Sequence, residues 1–75
     1  MNLSDILPGQ TARVARLCSG GTIRRRLLDI GLIEDTPVVC LGRSPLGDPS
    51  AFLIRGAVIA LRREDLQNIL IQDLT

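Results

Sequence analysis

Apolar residues occur along this chain in short runs that are separated by glycine, proline and acidic residues. Runs of this length, bounded by turn residues, are typical of β-strands. A helical turn is expected near Ser4 and Asp5, which are candidate caps, and it would end at Pro8-Gly9. A second helical turn is expected over 62–68. The pattern predicts about five short strands, over 11–18, 37–42, 51–54, 57–61 and 69–74.

One segment, TIRRRLLDIG, has the periodicity of an α-helix. Ile23, Leu27 and Ile30 are spaced so that they fall on one face of such a helix. Thr22 is the expected N-cap, and Gly31 is the expected left-handed residue that ends the helix. The segment is therefore predicted to be the one substantial helix of the chain, with its apolar stripe facing the core.

Three consecutive arginines lie on this helix. Because successive residues turn by about 100°, Arg26 falls beside the apolar stripe. We expect its stem to pack along the core edge and its guanidinium to bond to backbone or to a loop carboxylate. Arg24 and Arg25 should be solvated, either as a simple helix flank or as a contact to RNA or to a carboxylate-rich protein partner.

The segment AFLIRGAVIAL is expected to form a β-hairpin with Arg55-Gly56 as a two-residue turn. In that register Leu53 lies opposite Val58, and Phe52 lies opposite Ile59. Because side chains alternate along a strand, one face carries the heavier residues and should line the core. These inward residues are Phe52, Ile54, Ile59 and Leu61.

The opposite face of the hairpin is also apolar, and its largest side chains are Leu53 and Val58. The outer face of a small barrel is ordinarily polar, and exposed apolar clusters usually mark contact surfaces. We therefore expect this face to contact either a second copy of the chain or a partner protein. The alternative is that the helix or the terminal segments cover it.

The loop SPLGDP, between the second and third predicted strands, is rich in residues that restrict the backbone. Pro45 and Pro49 each fix one backbone angle, Gly47 permits a positive one, and Asp48 can accept bonds from nearby N–H groups. A loop stiffened in this way presents Leu46 to a partner with little ordering cost. The alternative is a well-made turn that only connects two strands.

The predicted fold is mainly β, a small barrel of about five short strands with one inserted helix. Strands this short cannot bury both faces of a flat open sheet, so they are expected to curl. A chain of 75 residues is long enough for one small core. We expect a single domain spanning 1–75.

The chain lacks the residues that most enzymes and metal sites use. It has no histidine, Cys18 and Cys40 are far apart in sequence, and Asp35, Asp48 and Asp65 lie at turn or cap positions. Two small buried thiols are favoured over a disulfide or a metal pair. The glycine pair in CSGGT has no P-loop lysine beside it. We therefore expect no catalytic residues, no cofactor and no high-affinity metal site.

Charge and hydropathy limit the classes of partner. The formal net charge is +1 and Phe52 is the only aromatic residue, so the basic and stacking surface typical of RNA-binding barrels is missing. No apolar run approaches the ~20 residues that cross a bilayer, and the N-terminus lacks the pattern of a signal peptide. We expect a cytoplasmic protein that neither inserts into a membrane nor binds nucleic acid.

Four stretches, in this order and spacing, carry a resemblance to a known family. They are LSDILPGQTARV, RRRLLDIGL, SPLGDP and RGAVIALRRED, and together they run from Leu3 to about Ile71. The chain resembles the FeoA family of small accessory proteins of ferrous iron transport. The family fold is an SH3-like barrel with an inserted helix, which agrees with the strand count. One departure is the turn IEDTP, where Asp35 stands in the place of a glycine.

The resemblance implies a cytosolic protein that binds the FeoB-type transporter, a membrane protein with a G-protein-like domain, and it implies no direct chemistry on iron. Because Met1 is followed at once by the domain, a freestanding protein is expected. Two other functions stay open: a nucleic-acid-binding barrel, and a metal-responsive domain like the C-terminal domain of iron-dependent repressors. An enzyme is the least favoured function. The candidate partner-binding residues are Arg24, Arg25, Leu46, Leu53 and Val58.

Overall fold

A five-stranded antiparallel sheet dominates the computed structural model, which describes residues 1–72. Its strands are β1 (Thr11–Leu17), β2 (Pro37–Arg43), β3 (Ser50–Ile54), β4 (Ala57–Leu61) and β5 (Ile69–Ile71). The strand order is β4-β3-β2-β1-β5, so the last strand returns to lie beside the first. The predicted strands are confirmed, although the last one ends at Ile71, and its predicted part beyond Gln72 lies outside the described residues.

Residues 1–72 contain three short helical segments: a 3₁₀ turn (Leu3–Asp5) before β1, α1 (Gly21–Asp29) between β1 and β2, and α2 (Arg63–Leu66) between β4 and β5. The predicted cap of the 3₁₀ turn is wrong for Ser4, because Asn2 is the N-cap and its side chain accepts from the Ser4 N–H (2.9 Å). Asp5, the other candidate, does take part, since its carboxylate accepts from the Asn2 N–H in return (2.9 Å). The predicted cap of α1 is wrong as well. The helix begins before Thr22, so Gly20 occupies the cap position and Thr22 lies inside the first turn.

The β3–β4 hairpin has the predicted register. Arg55 and Gly56 both have positive φ (+49° and +81°), as a two-residue type I′ turn requires. Leu53 accordingly lies opposite Val58. The predicted inner face is also present, since three of its residues are buried and the fourth is half-buried. In that order they are Phe52, Ile54, Leu61 and Ile59.

The end of α1 is a left-handed glycine, as predicted. Gly31 has a φ of +88°, its N–H donates to the Leu28 carbonyl (2.9 Å), and the Leu32 N–H donates to the Leu27 carbonyl (3.0 Å). These two bonds form a Schellman motif, which satisfies carbonyls that the helix leaves unpaired. Arg55 Nε also donates to the Gly31 carbonyl (2.8 Å), so the hairpin turn is tied to the end of the helix.

The core lies between the inner face of the sheet and the helical segments. In α1, Leu27 is buried whereas Ile23 is 37% exposed, and Ile30, the C-cap residue, is half-buried. The helix therefore packs through its C-terminal half. The predicted stripe therefore extends one turn too far toward the N-terminus. Other buried side chains include Leu3, Ile6, Val14, Leu32, Val38, Cys40, Leu66 and Ile69.

The turn before β2 accommodates Asp35 in a conformation that a glycine would readily adopt. Asp35 has a φ of +69°, and aspartate enters this region more easily than most residues because its short polar side chain bonds locally. Its N–H donates to the Val14 carbonyl (2.7 Å), and its carbonyl accepts from Arg13 Nη1 (2.9 Å). Asp35 therefore keeps the backbone conformation and the hydrogen bonds of this turn without a glycine.

Gly31→Ala is expected to lower the free energy of unfolding by about 2 kcal/mol. The left-handed φ is unfavourable for alanine, and an added Cβ would lie 2.4 Å from Arg55 Cδ. Arg55 would have to move and lose its bond to the Gly31 carbonyl. Urea denaturation measures the effect. Gly42→Ala is the control, because within residues 1–72 nothing lies within 4 Å of a Cβ there; equal losses in both variants would contradict the prediction.

Candidate partner-binding surfaces

An apolar row crosses three strands on the side of the sheet that faces away from the core. Val39 lies opposite Leu53, and Leu53 lies opposite Val58. Val58 is 67% exposed, while Leu53 and Val39 are half-buried. Neither helix therefore covers the β4 end of the row. We call the surface formed by this row and its apolar neighbours the outer face: Val39, Leu41, Ala51, Leu53, Val58 and Ala60.

Leu41 extends the outer face toward the loop between β2 and β3. The β2–β3 register shifts between Cys40 and Gly42, so Leu41 is the extra residue of a β-bulge, and it is 46% exposed. A shallow groove with a volume of about 400 Å³ begins beside it. Residues of the loop and of all three strands line this groove, among them Leu41, Arg43, Ser44, Pro49, Ala51 and Ala60.

Two residues of the outer face, Val39 and Leu41, were missed by the sequence reasoning. The signal that could have found them is the alternation within β2. Val38 and Cys40 are buried, so the residues between and after them face outward. The run PVVCLG gives this alternation no polar contrast, because the outward residues are as apolar as the inward ones.

The loop between β2 and β3 holds Leu46 at the tip of a tight turn. The Gly47 N–H donates to the Ser44 carbonyl (2.8 Å), with Pro45 at the position where its fixed φ is favoured. The Ser44 N–H donates to the Pro49 carbonyl (3.0 Å), which closes the base of the loop. Leu46 is 93% exposed. The loop therefore points this side chain into solvent.

Asp48 ties the same loop to α2. Its Oδ1 accepts from the Arg63 N–H (2.9 Å), at the first residue of the helix. The sequence indicated that Asp48 accepts from a nearby N–H, and this bond is present, but the donor lies 15 residues further along the chain. The loop is thus held by its own turn and by a separate element.

Two of the three arginines of α1 agree with the sequence expectation, and Arg26 does not. Arg24 is exposed, as expected, and its Nη1 also donates to the Leu17 carbonyl of β1 (3.1 Å). Arg26, expected along the core edge, is exposed, so that prediction is wrong. The helix packs through Leu27, and the buried face is too narrow to include its neighbour in sequence. Arg25 is exposed, as expected.

Arg24 borders a second and smaller apolar surface. Leu28 is 40% exposed and Ile33 is 49% exposed. Both line a shallow groove together with Arg24 and Ala15. We call Arg24, Leu28 and Ile33 the helix patch.

The five residues predicted to bind a partner do not form one site. Leu53 and Val58 are direct neighbours across β3 and β4. Leu46 lies on the loop that precedes β3, at the end of that strand opposite to the hairpin turn. Arg24 and Arg25 lie on α1. The structure therefore separates an apolar set on the sheet and loop from a basic set on the helix.

The two cysteines differ in burial. Both thiols are free, and Cys40 is buried whereas Cys18, just beyond the end of β1, is exposed. The prediction of two buried thiols is therefore wrong for Cys18. Within residues 1–72, no group of three or more cysteine, aspartate or glutamate side chains could hold a metal ion. Over that same range, no helix has the length and apolar character needed to cross a membrane.

Asp48→Ala is expected to lower the free energy of unfolding by about 1 kcal/mol, because the Arg63 N–H loses its acceptor. Asp48→Asn keeps an acceptor oxygen and should stay close to the wild type. Leu46→Ala serves as the control on the same loop, since its side chain is almost fully exposed. Chemical denaturation compares the three variants, and a loss in Leu46→Ala as large as that in Asp48→Ala would refute this account.

Arg24→Ala is expected to lower the free energy of unfolding by about 0.5–1 kcal/mol, because the hydrogen bond to the Leu17 carbonyl is lost. Arg26→Ala should leave the melting temperature unchanged, since Arg26 is exposed. Thermal unfolding followed by circular dichroism measures both. A loss of stability in Arg26→Ala with none in Arg24→Ala would contradict this account and would indicate that Arg26 packs along the core edge.

The chain matches the family model of the FeoA domain over residues 1–73. It is 32% identical over 69 residues to the Fe(2+) transport protein A/Fe(2+) transporter FeoB fusion protein of Porphyromonas gingivalis. This match covers 92% of the present chain but only 8% of the fusion protein, so the chain spans a small part of that curated relative.

Solved structures show the same architecture. The solution NMR structure of the FeoA protein from Chlorobium tepidum has a TM-score of 0.92 and 32% identity, covering 100% of this chain and 71% of that one. The crystal structure of Stenotrophomonas maltophilia FeoA complexed with zinc, described as a prokaryotic SH3 domain protein, has a TM-score of 0.85. Its identity is 22%, over 96% of this chain and 89% of that one, which shows the fold alone.

The predicted fold class, a mainly β SH3-like barrel with an inserted helix, is therefore confirmed. The family match over residues 1–73 and the similarity to the Chlorobium tepidum protein agree with the motifs in the sequence. This chain belongs to the FeoA family, which is linked to ferrous iron transport.

Proposed function

We propose that this chain is an accessory protein that binds the cytosolic part of an FeoB-type transporter and biases the activity of that transporter. The observation that carries the proposal is the Porphyromonas gingivalis relative, a fusion of Fe(2+) transport protein A with the transporter FeoB. A covalent link holds two partners at high effective concentration. Where the partners are separate chains, their association depends on a binding surface.

The role is proposed to be regulatory rather than enzymatic, for a single FeoA-like domain over 1–75 in the cytoplasm with no cofactor. The chain has no histidine and no lysine. Two of its carboxylates accept backbone N–H bonds that stabilise the fold: Asp5 completes the cap of the 3₁₀ turn, and Asp48 caps α2. A protein with these properties acts on its partner by contact.

The outer face is the surface that we propose to contact the transporter. Its apolar row continues across three strands from Val39 through Leu53 to Val58, and contiguous exposed apolar surfaces usually mark interaction sites. Leu46 lies on the adjoining loop in a turn closed by backbone hydrogen bonds. Because that loop is already ordered, little conformational entropy is lost when a partner covers it.

Arg24 and Arg25 are proposed as a separate contact with carboxylates of the transporter. Arg25 is exposed, and Arg24 has further N–H donors after its bond to the Leu17 carbonyl. Charged groups at the rim of an interface mainly affect the association rate and the orientation of the partners. Their loss should therefore weaken binding less than loss of the outer face.

A nucleic-acid-binding function is less well supported. Small barrels that bind single-stranded nucleic acid usually stack bases on exposed aromatic side chains. Phe52 is the only aromatic residue of the chain, and it is 1% exposed. No aromatic side chain is therefore available for stacking.

The variant that combines Leu53→Asp with Val58→Lys is expected to keep the fold and to weaken binding to the purified FeoB-type transporter at least 100-fold. Leu53 lies in the middle of the apolar row and Val58 lies at its β4 end, so the substitutions would place charges in a dehydrated contact. Leu28→Asp, on the helix patch beside Arg24, is the matched comparison and should weaken binding far less than the double variant, because the helix contributes only the separate arginine contact. Circular dichroism checks the fold, and a titration monitored by thermophoresis measures the affinity.

Each other result of this experiment has a definite meaning. If the double variant unfolds, Leu53 and Val58 belong to the core and the assignment of the surface is wrong. If the variant is folded and still binds like the wild type, the transporter contacts a different surface. If Leu28→Asp loses binding and the double variant does not, the helix patch is the docking surface.

A further inference from the structure

The two edges of the sheet differ in how their backbone groups are satisfied. At the β5 edge, Leu70 forms a bridge with Asn2, and the Ile71 N–H donates to the Met1 carbonyl (3.1 Å). The N-terminal segment of the chain thus pairs with this edge. At the other edge, β4 is paired only with β3, and nothing within residues 1–72 pairs with its outer side.

The hairpin geometry identifies the backbone groups that this open edge presents. In a two-residue hairpin the residues that flank the turn exchange hydrogen bonds, and bonded pairs then alternate with non-bonded pairs. Ile54 and Ala57 are the first bonded pair, and Phe52 and Ile59 are the next. The N–H and C=O groups of the intervening β4 residues therefore point away from β3. These residues are Val58 and Ala60.

The five residues of β4 themselves carry none of the usual protection against strand addition. Natural proteins guard edge strands with charged residues, proline, bulges or a covering segment. β4 has the sequence AVIAL, it pairs with β3 without a register shift, and Ala57, Val58 and Ala60 are all exposed. An unguarded apolar edge of this kind is a template for another strand.

Arginines flank this apolar edge at both ends. Arg55 lies in the turn, two residues before β4 begins, and Arg62 and Arg63 directly follow the strand. All three are exposed. A strand added here would meet apolar side chains along its middle and positive charge near each end, which favours carboxylates at the ends of the incoming segment.

We propose that the β4 edge binds an extended segment of the transporter's cytosolic part as an additional antiparallel or parallel strand. The segment has a short apolar centre and acidic residues at its ends. Its backbone bonds to Val58 and Ala60, and its alternate side chains continue the apolar row of the outer face beyond Val58. This inference rests on the proposed function and specifies how the transporter is recognised.

Charge argues against a second copy of the chain at this edge. An antiparallel pair of β4 strands that matches all five residues is centred on Ile59, with Val58 opposite Ala60 of the other copy. That register places Arg55 opposite Arg63 and brings Arg62 close to the same turn. Like charges directly opposite each other destabilise a strand pair. An acidic partner segment removes this repulsion.

Hydrogen exchange on the wild-type chain tests the proposal directly. The probe is the detergent-solubilised FeoB-type transporter, and the readout is the exchange rate of individual amides by NMR. The Val58 and Ala60 amides should exchange rapidly in the free chain and at least tenfold more slowly when the transporter is bound. The Ile59 amide, which already bonds to β3, is the internal control and should be protected in both states.

Ala60→Pro tests the same contact by affinity. Proline removes the N–H that points outward and leaves the bonds between β3 and β4 intact, so binding should weaken at least tenfold. Ala60→Ser keeps that N–H and should bind within twofold of the wild type. If Ala60→Pro does not fold, the exchange measurement on the unmodified chain decides.

Arg62→Gln tests the charge of the incoming segment. It should weaken binding about threefold at low salt and reduce the salt dependence of the affinity. Arg16→Gln, an exposed arginine on β1, is the matched control and should change neither. If the two variants behave alike, the acidic character of the segment is wrong.

The outcomes separate this inference from the proposed function. If the transporter binds but the Val58 and Ala60 amides exchange as in the free chain, the edge is not the site, although the proposed function stands. If the transporter does not bind at all, both are overturned. If the two amides become protected with rising protein concentration and sedimentation shows a dimer, a second copy occupies the edge and the inference is wrong.

Discussion

The register of the β3–β4 hairpin is the constraint on which the rest of the structure depends. Because side chains alternate with a period of two, a slip of one residue would expose Phe52 and bury Leu53. The turn prevents the slip, since Arg55 and Gly56 both adopt positive φ in a two-residue connection. Arg55 also binds the carbonyl of Gly31, so the same turn positions the end of α1. These two turn residues thus determine which face of the β3–β4 hairpin lies in the core and which faces away from it.

The loop after β2 serves the fold and the proposed binding surface at once. Asp48 accepts from the first N–H of α2, and α2 in turn brings Leu66 into the core. The Ser44–Gly47 turn holds Leu46 outward. The loop that caps α2 is thus the same ordered loop that carries Leu46 of the proposed binding surface. The stiffness that the SPLGDP sequence indicates therefore accounts both for the cap of α2 and for the fixed outward position of Leu46.

Features with a strict local period could be predicted from the sequence, and features decided by tertiary contacts could not. The hairpin register and the left-handed Gly31 follow from spacing and turn chemistry, and both are present. The rotation of about 100° per residue places Arg26 beside the apolar stripe of α1, but it does not give the width of the face that the helix buries. That face includes Leu27 and excludes Arg26, which is exposed. Val39 and Leu41 were missed because the outward residues of β2 are as apolar as its inward ones, so the alternation carries no polar contrast. The outer pair Leu53 and Val58 was found because it depends on register alone.

The two edges of the sheet differ: the β5 edge contributes backbone hydrogen bonds to the fold, whereas the β4 edge contributes none within residues 1–72. A 75-residue domain buries only ~60% of the surface of its unfolded chain, so pairing Asn2 with Leu70 at the β5 edge adds backbone bonds that the fold needs. At the β4 edge an unpaired backbone and an exposed Val58 occur on the same strand. Each feature alone favours aggregation. Their coincidence on one strand is explained if a single partner segment covers both, pairing with the backbone while its side chains pack beside the apolar row.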